Sequence, residues 1–147
     1  MAEKTSPAEG LSTEEREAVK NRAKELRAEA KAGKDRAAGE KVLVEAIAAL
    51  EGDDKIVAEG FRRVVGEVAP ELFPKTYYSM PAFANAEGKI VVFLQPASKF
   101  KARYSTLGFE GPAKLDDGDM WPTSFAVLAW SPAVEDRLRE LVTRAVA

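Results

Sequence analysis

TYYSMPAFANAEGKIVVFLQ, Thr76 to Gln95, decides the fold class. Ahead of it the apolar residues recur at helical steps. Within it they alternate or run on, which is the period of strands. Thr76–Tyr78, Ala82–Ala84 and Lys89–Gln95 read as strands, with NAEGK (Asn85–Lys89) as the hairpin turn between the last two. Arg103–Phe109 and Ser124–Trp130 are further strand candidates, which makes a sheet of about five strands.

Helical patterns flank this block. Before it, Asp53 or Asp54 is an N-cap candidate for a helix that carries Ile56, Val57, Phe61, Val64, Val65 and Val68 and stops ahead of Pro70. After it, Ser131 as N-cap and Pro132 at the first helical position open a helix with Val134, Leu138, Leu141, Val142 and Ala145 on one face. The sequence therefore predicts an α+β domain over residues 52–147.

The first third is different in kind. Every aromatic residue lies at or after Phe61, so a core of large side chains belongs to the C-terminal two-thirds. Ser12 and Glu15 have capping-box spacing, followed by a narrow apolar stripe of Val19, Ala23, Leu26 and Ala30. Gly33 and Gly39, within AKAGKDRAAGEK, predict a break or loosening of the helix near residue 33 before Leu43, Ile47 and Leu50 lead toward Gly52. Residues 11–51 read as a helical extension that docks partly or meets a protein partner or a second copy. Residues 1–10 read as a flexible tail.

Composition removes several kinds of function. Lys and Arg number 22 against 24 Asp and Glu, a net charge of −2, so bulk charge gives no attraction for polyanions. The extension's basic residues alternate with glutamates and carry no aromatic for base stacking, which argues against nucleic acid. With no cysteine and no histidine there is no disulfide, thiolate nucleophile, Ser-His-Asp triad or ordinary zinc site. Any metal is then held by oxygen, as a hard divalent cation or iron. MAEKTSPAEG lacks the apolar region of a signal peptide and no long apolar run follows, so the expectation is a cytoplasmic protein without a membrane segment.

Three groups of residues are candidates for a site. Asp116, Asp117 and Asp119 in LDDGDMWPTSF (Leu115–Phe125), with Glu110, carry enough charge for a hard cation, beside Trp121 as an apolar wall. The competing reading is a plain Asp-Gly turn. Lys99, Lys101 and Arg103 alternate with Phe100, Ala102 and Tyr104, so an extended chain sets three cations in a row, either for a phosphate, a carboxylate or an RNA backbone or as a solvated strand face. A helical turn there dissolves the row. Tyr77 and Tyr78, adjacent on a strand, face opposite sides, one toward the core and the other exposed or lining a cleft. Met80-Pro81 reads as a bulge or kink that re-aims side chains.

No G-x-S-x-G elbow, phosphate-cradling glycine loop or dinucleotide fingerprint occurs, and an enzyme is not expected. The preferred reading is a small binding module for a metal ion or small anionic ligand. Its cleft lies between the DDGD loop and the Lys99–Arg103 row, with Tyr77, Tyr78, Met80, Lys99, Lys101, Arg103 and Trp121 as ligand contacts. The alternative is an adaptor protein working through residues 11–51.

YYSMPAF (Tyr77–Phe83), KIVVFLQPASKFKARYSTLGF (Lys89–Phe109) and LDDGDMWPTSF together resemble the YdhG-like family of bacterial domains of unknown function. The resemblance covers roughly residues 53–147, and the extension is similar to one carried by a subset of that family. It implies a compact α+β domain whose antiparallel sheet has helices packed on one face. One branch is described as an iron chaperone with a frataxin-like fold, so iron is the cation the resemblance implies. The LDDGDMW loop is similar to that of a different branch, and no metal residue is carried across.

Overall fold

Strands β1 (Phe73–Tyr77), β2 (Met80–Ala84), β3 (Ile90–Gln95), β4 (Ser105–Phe109) and β5 (Ser124–Val127) form one sheet in the order β1-β2-β3-β4-β5. Every neighbouring pair is antiparallel. Helices α1 (Thr13–Ala48) and α2 (Gly52–Val68) precede the sheet and α3 (Pro132–Ala145) follows it. The fold is α+β. This computed structural model describes residues 12–147, so the expected tail at 1–10 lies outside the described residues. The chain divides into two compact units, one ending at Asp35 and one comprising Arg36–Ala147.

Turn chemistry sets the register of the sheet. β1 ends at Tyr77, and Tyr78 and Ser79 form a two-residue loop with φ of 51° and 66°, the signature of a type I′ hairpin turn. In the next turn the Asn85 side chain accepts bonds from the N–H groups of Glu87 and Lys89, each at 3.0 Å. The expected kink at Met80-Pro81 is absent: β2 runs through Pro81, which pairs with Thr76. A two-residue loop makes Tyr77 and Met80 a hydrogen-bonded pair. Pro81 and Pro74 therefore fall at positions whose nitrogens point away from the β1–β2 ladder, and no bond between these strands is lost. The irregularity lies instead at Phe83/Ala84, where β2 meets β3.

The helices follow local signals at their starts and tertiary packing elsewhere. Ser131 caps α3, its hydroxyl accepting from the Val134 N–H at 3.2 Å with Pro132 in the first turn. On α1 the capping box closes in both directions: Ser12 N–H donates to Glu15 Oε1 (2.8 Å) and Glu15 N–H to Ser12 Oγ (3.0 Å). The N-cap of α2 is Glu51 rather than Asp53 or Asp54. The Asp54 carboxylate is engaged elsewhere, accepting the N–H and hydroxyl of Ser98.

The break expected near residue 33 does not occur, and α1 is continuous from Thr13 to Ala48. A glycine inside a helix costs only about 1 kcal/mol against alanine, which the surrounding Ala, Lys, Glu and Arg outweigh. Gly39 is required by sterics, because a Cβ there would run into the Pro74 carbonyl of β1. One turn earlier, Arg36 donates to the carbonyls of Leu72 (2.7 Å) and Glu71 (3.2 Å), its guanidinium 4.2 Å from the centre of the Phe73 ring.

The core lies on one face of the sheet. Phe83, Val92, Leu94, Leu107, Phe109 and Val127 are buried with Leu43 and Ile47 of α1, Phe61, Val64 and Val65 of α2, and Leu138, Leu141 and Val142 of α3. Each fully buried side chain of this size contributes roughly 1.5–3 kcal/mol. Ile56, expected on the core face of α2, is exposed instead. Where α2 meets α3, Glu135 pairs with Arg63 and Arg139, both at 2.9 Å, and Arg139 reaches Glu67 at 2.6 Å. Hydrogen bonds from Arg63, then Arg139, lower the Glu135 carboxyl to a pKa of about 2. By register the opposite face of the sheet carries Lys75, Tyr77, Phe93, Gln95 and Thr106, all half-buried.

Candidate functional site

β4 separates the two charged groups that the sequence sets around one cleft. Lys99–Arg103 precede the strand and Asp116–Asp119 follow it, so they are attached to opposite ends of a strand about 13 Å long. That cleft does not form. Asp116, Asp117 and Asp119 are all exposed, around Gly118 at φ 71°. Among the described residues, no three acidic side chains gather as a cation requires. Buried Leu115 and half-buried Trp121, which packs against the core, tie the loop down on either side. Trp121 packs on the core side, whereas Tyr77 lies on the opposite face of the sheet by register.

The basic row dissolves as well. Ala97–Phe100 is a 3-10 turn and Lys101 closes it in the left-handed region at φ 54°. Side chains from outside hold the turn: Ser105 Oγ accepts from the Ala97 N–H at 3.2 Å, and Asp54 holds Ser98. Lys99 and Arg103 instead lie near the rings of Phe100 and Tyr104, at 5.8 and 5.4 Å.

Tyr77, Tyr78 and Met80 are brought together, though not as expected. Tyr78 belongs to the turn, so strand alternation does not apply to it, and the two tyrosine rings meet at 4.7 Å. Tyr77 also meets Phe93 at 5.3 Å, and its hydroxyl donates to Glu110 Oε2 at 3.3 Å. Met80 is buried and Tyr78 is exposed. Sequence reasoning missed Phe93. Its neighbours across the sheet are Ala82 and Gly108, which leave room for a ring, but that pairing is visible only once the register is known. Burial, then the charge of Glu110, raises the Tyr77 phenol pKa, so this hydroxyl donates rather than acting as a base.

A second arrangement, which the sequence does not announce, lies on the core face. A cavity of about 180 Å³ opens between β5 and α3 and reaches inward to α2. Phe61, Leu94, Leu107, Trp130, Leu138 and Leu141 are among its lining residues. Trp130 packs so closely on α2 that a Cβ at Gly60 would overlap its ring. Arg137 alone among the described lining residues is charged, and its guanidinium lies 5.6 Å from the centre of the Phe125 ring. The signal for it in the sequence is spacing: Arg137 stands three residues after Val134 and four before Leu141, on the apolar flank of α3.

No family model matches this chain, and no curated protein or solved structure matches it. Among the described residues no helix is long and apolar enough to cross a membrane. On α1, Val19 and Leu26 of the N-terminal stripe are exposed, while the Ala30 side chain lies outside the described residues.

Proposed function

We propose that this chain is a YdhG-like small-ligand binding module without catalytic chemistry of its own, and that its ligand seat is the cavity between α2, α3 and the sheet. The observation that carries the reading is the cavity itself: about 180 Å³, walled by Phe61, Leu94, Leu107 and Leu138. Interiors are packed to crystal-like density, and an apolar void of roughly 150 Å³ is large enough to hold benzene. The cavity is half open to solvent, so an apolar occupant displaces water from its wall and gains dispersion contacts there. The DDGD loop and the Lys99–Arg103 segment fall outside this seat. A cation, iron included, has no part in the reading, because its lining offers no carboxylate.

Toluene is the direct probe. In toluene-saturated buffer the full chain is expected to unfold several degrees higher, since a ligand at a hundred times its dissociation constant adds about 2.7 kcal/mol. The methyl NMR signals of Leu107 and Leu138 should move with it. An unchanged melting temperature together with unmoved methyl signals removes the reading.

A further inference from the structure

We infer that the natural ligand of this cavity is a small carboxylic acid, with an apolar body about the size of one benzene ring and its carboxylate held by Arg137. The inference rests on the binding-module reading above and adds the chemistry of the head group. The wall supplies size and polarity: a volume of about 180 Å³ admits a single ring or a short branched chain. Arg137 supplies the head-group preference. It lines the cavity, is exposed, and lies 5.6 Å from the Phe125 ring centre, so the guanidinium sits at the mouth rather than in the depth.

Its neighbours on α3 make the contrast plain. Arg139 is engaged by Glu67 and Glu135, and Arg63 reaches Glu135 from α2. Arg137 has no ion pair with any described acidic residue. A planar guanidinium over an aromatic face still offers its fork of N–H donors to a carboxylate, which takes two parallel bonds. A carboxylate at the mouth stays partly hydrated while its apolar body enters the dry wall, so neither part is buried against its preference.

Benzoate and its neutral isostere benzamide test this on the full chain, by NMR titration read at the methyl groups of Leu94, Leu107 and Leu138. The expected result is benzoate binding at least tenfold tighter than benzamide. That advantage should vanish in Arg137→Gln and survive in part in Arg137→Lys. The glutamine variant breaks no ion pair, and its melting temperature should match the parent's. Benzamide and toluene binding with no preference for benzoate, or a benzoate preference indifferent to Arg137→Gln, overturns the carboxylate assignment and leaves the binding module standing. Benzoate shifts confined to residues outside the cavity overturn it as well. If none of the three probes moves the cavity methyl groups, both readings fall.

Discussion

Ser79 holds φ at 66°, in the left-handed region that glycine enters without a steric penalty and other residues enter at about 1 kcal/mol. Ser79→Gly is expected to stabilise the chain by about 0.5–1 kcal/mol, the relieved strain exceeding glycine's extra freedom in the unfolded state. For a domain of this size that raises the melting temperature by roughly 1–4 °C. A melting temperature at or below the parent's contradicts the strain. At this scale the sequence is legible wherever one residue acts on its own backbone. Ser12, Glu15 and Ser131 cap as their spacing predicts, because a cap needs only the next few N–H groups. Tyr78 departs from its expected place because alternation presupposes a strand. Whether the strand ends at Tyr77 depends on a turn with no glycine or asparagine to announce it.

Between elements, the contact of α2 with α3 depends on pH. Arg63 and Arg139 lower the Glu135 carboxyl from its ordinary 4.5 to about 2, so the folded state prefers the ionised form. Its contribution is fully present above about pH 4.5 and is lost as the pH falls through about 2. Glu135→Gln is expected to melt below the parent at pH 7, with the two melting temperatures converging as the pH approaches 2. Parallel curves over that range rule out this carboxylate as the linkage. The strands are legible as apolar alternation, but β4 and β5 are shorter than the pattern suggests, because each ends where its partner ends. The continuity of α1 is not legible. Two glycines suggest a break on propensity alone, and the reason for Gly39, the carbonyl of Pro74, lies on a strand far along the chain.

Across the molecule, the α+β class is legible and the cavity is not. Its wall draws on α2, β3, β4, β5 and α3, and no window of sequence contains more than a fragment of it. The cleft expected between the DDGD loop and the basic row fails for the converse reason: both segments are conspicuous, yet β4 holds them apart. The compact unit begins at Arg36, so two deletions should differ sharply. Removing residues 1–35 is expected to leave the unfolding of the remainder cooperative and within a few degrees of the full chain, as seen by circular dichroism. Removing residues 1–51 takes away buried Leu43 and Ile47 and the Arg36 bonds. At roughly 1.5–3 kcal/mol for each buried side chain, that is a large share of a domain's 5–15 kcal/mol. Cooperative unfolding of the shorter chain at the parent's temperature would show that α1 contributes nothing to the core.

The contact of α1 with β1 also governs how copies of this chain meet. A bare outer strand is a template on which other chains add strands and grow into aggregates. On β1 and just ahead of it that invitation is withdrawn three times. Pro74 offers no N–H outward, its carbonyl faces the backbone of Gly39, and Arg36 occupies the carbonyls of Glu71 and Leu72. At the other margin β5 has only four residues to offer. The helical turns that complete the core also act as a fence along this margin, so the same residues serve both stability and solubility.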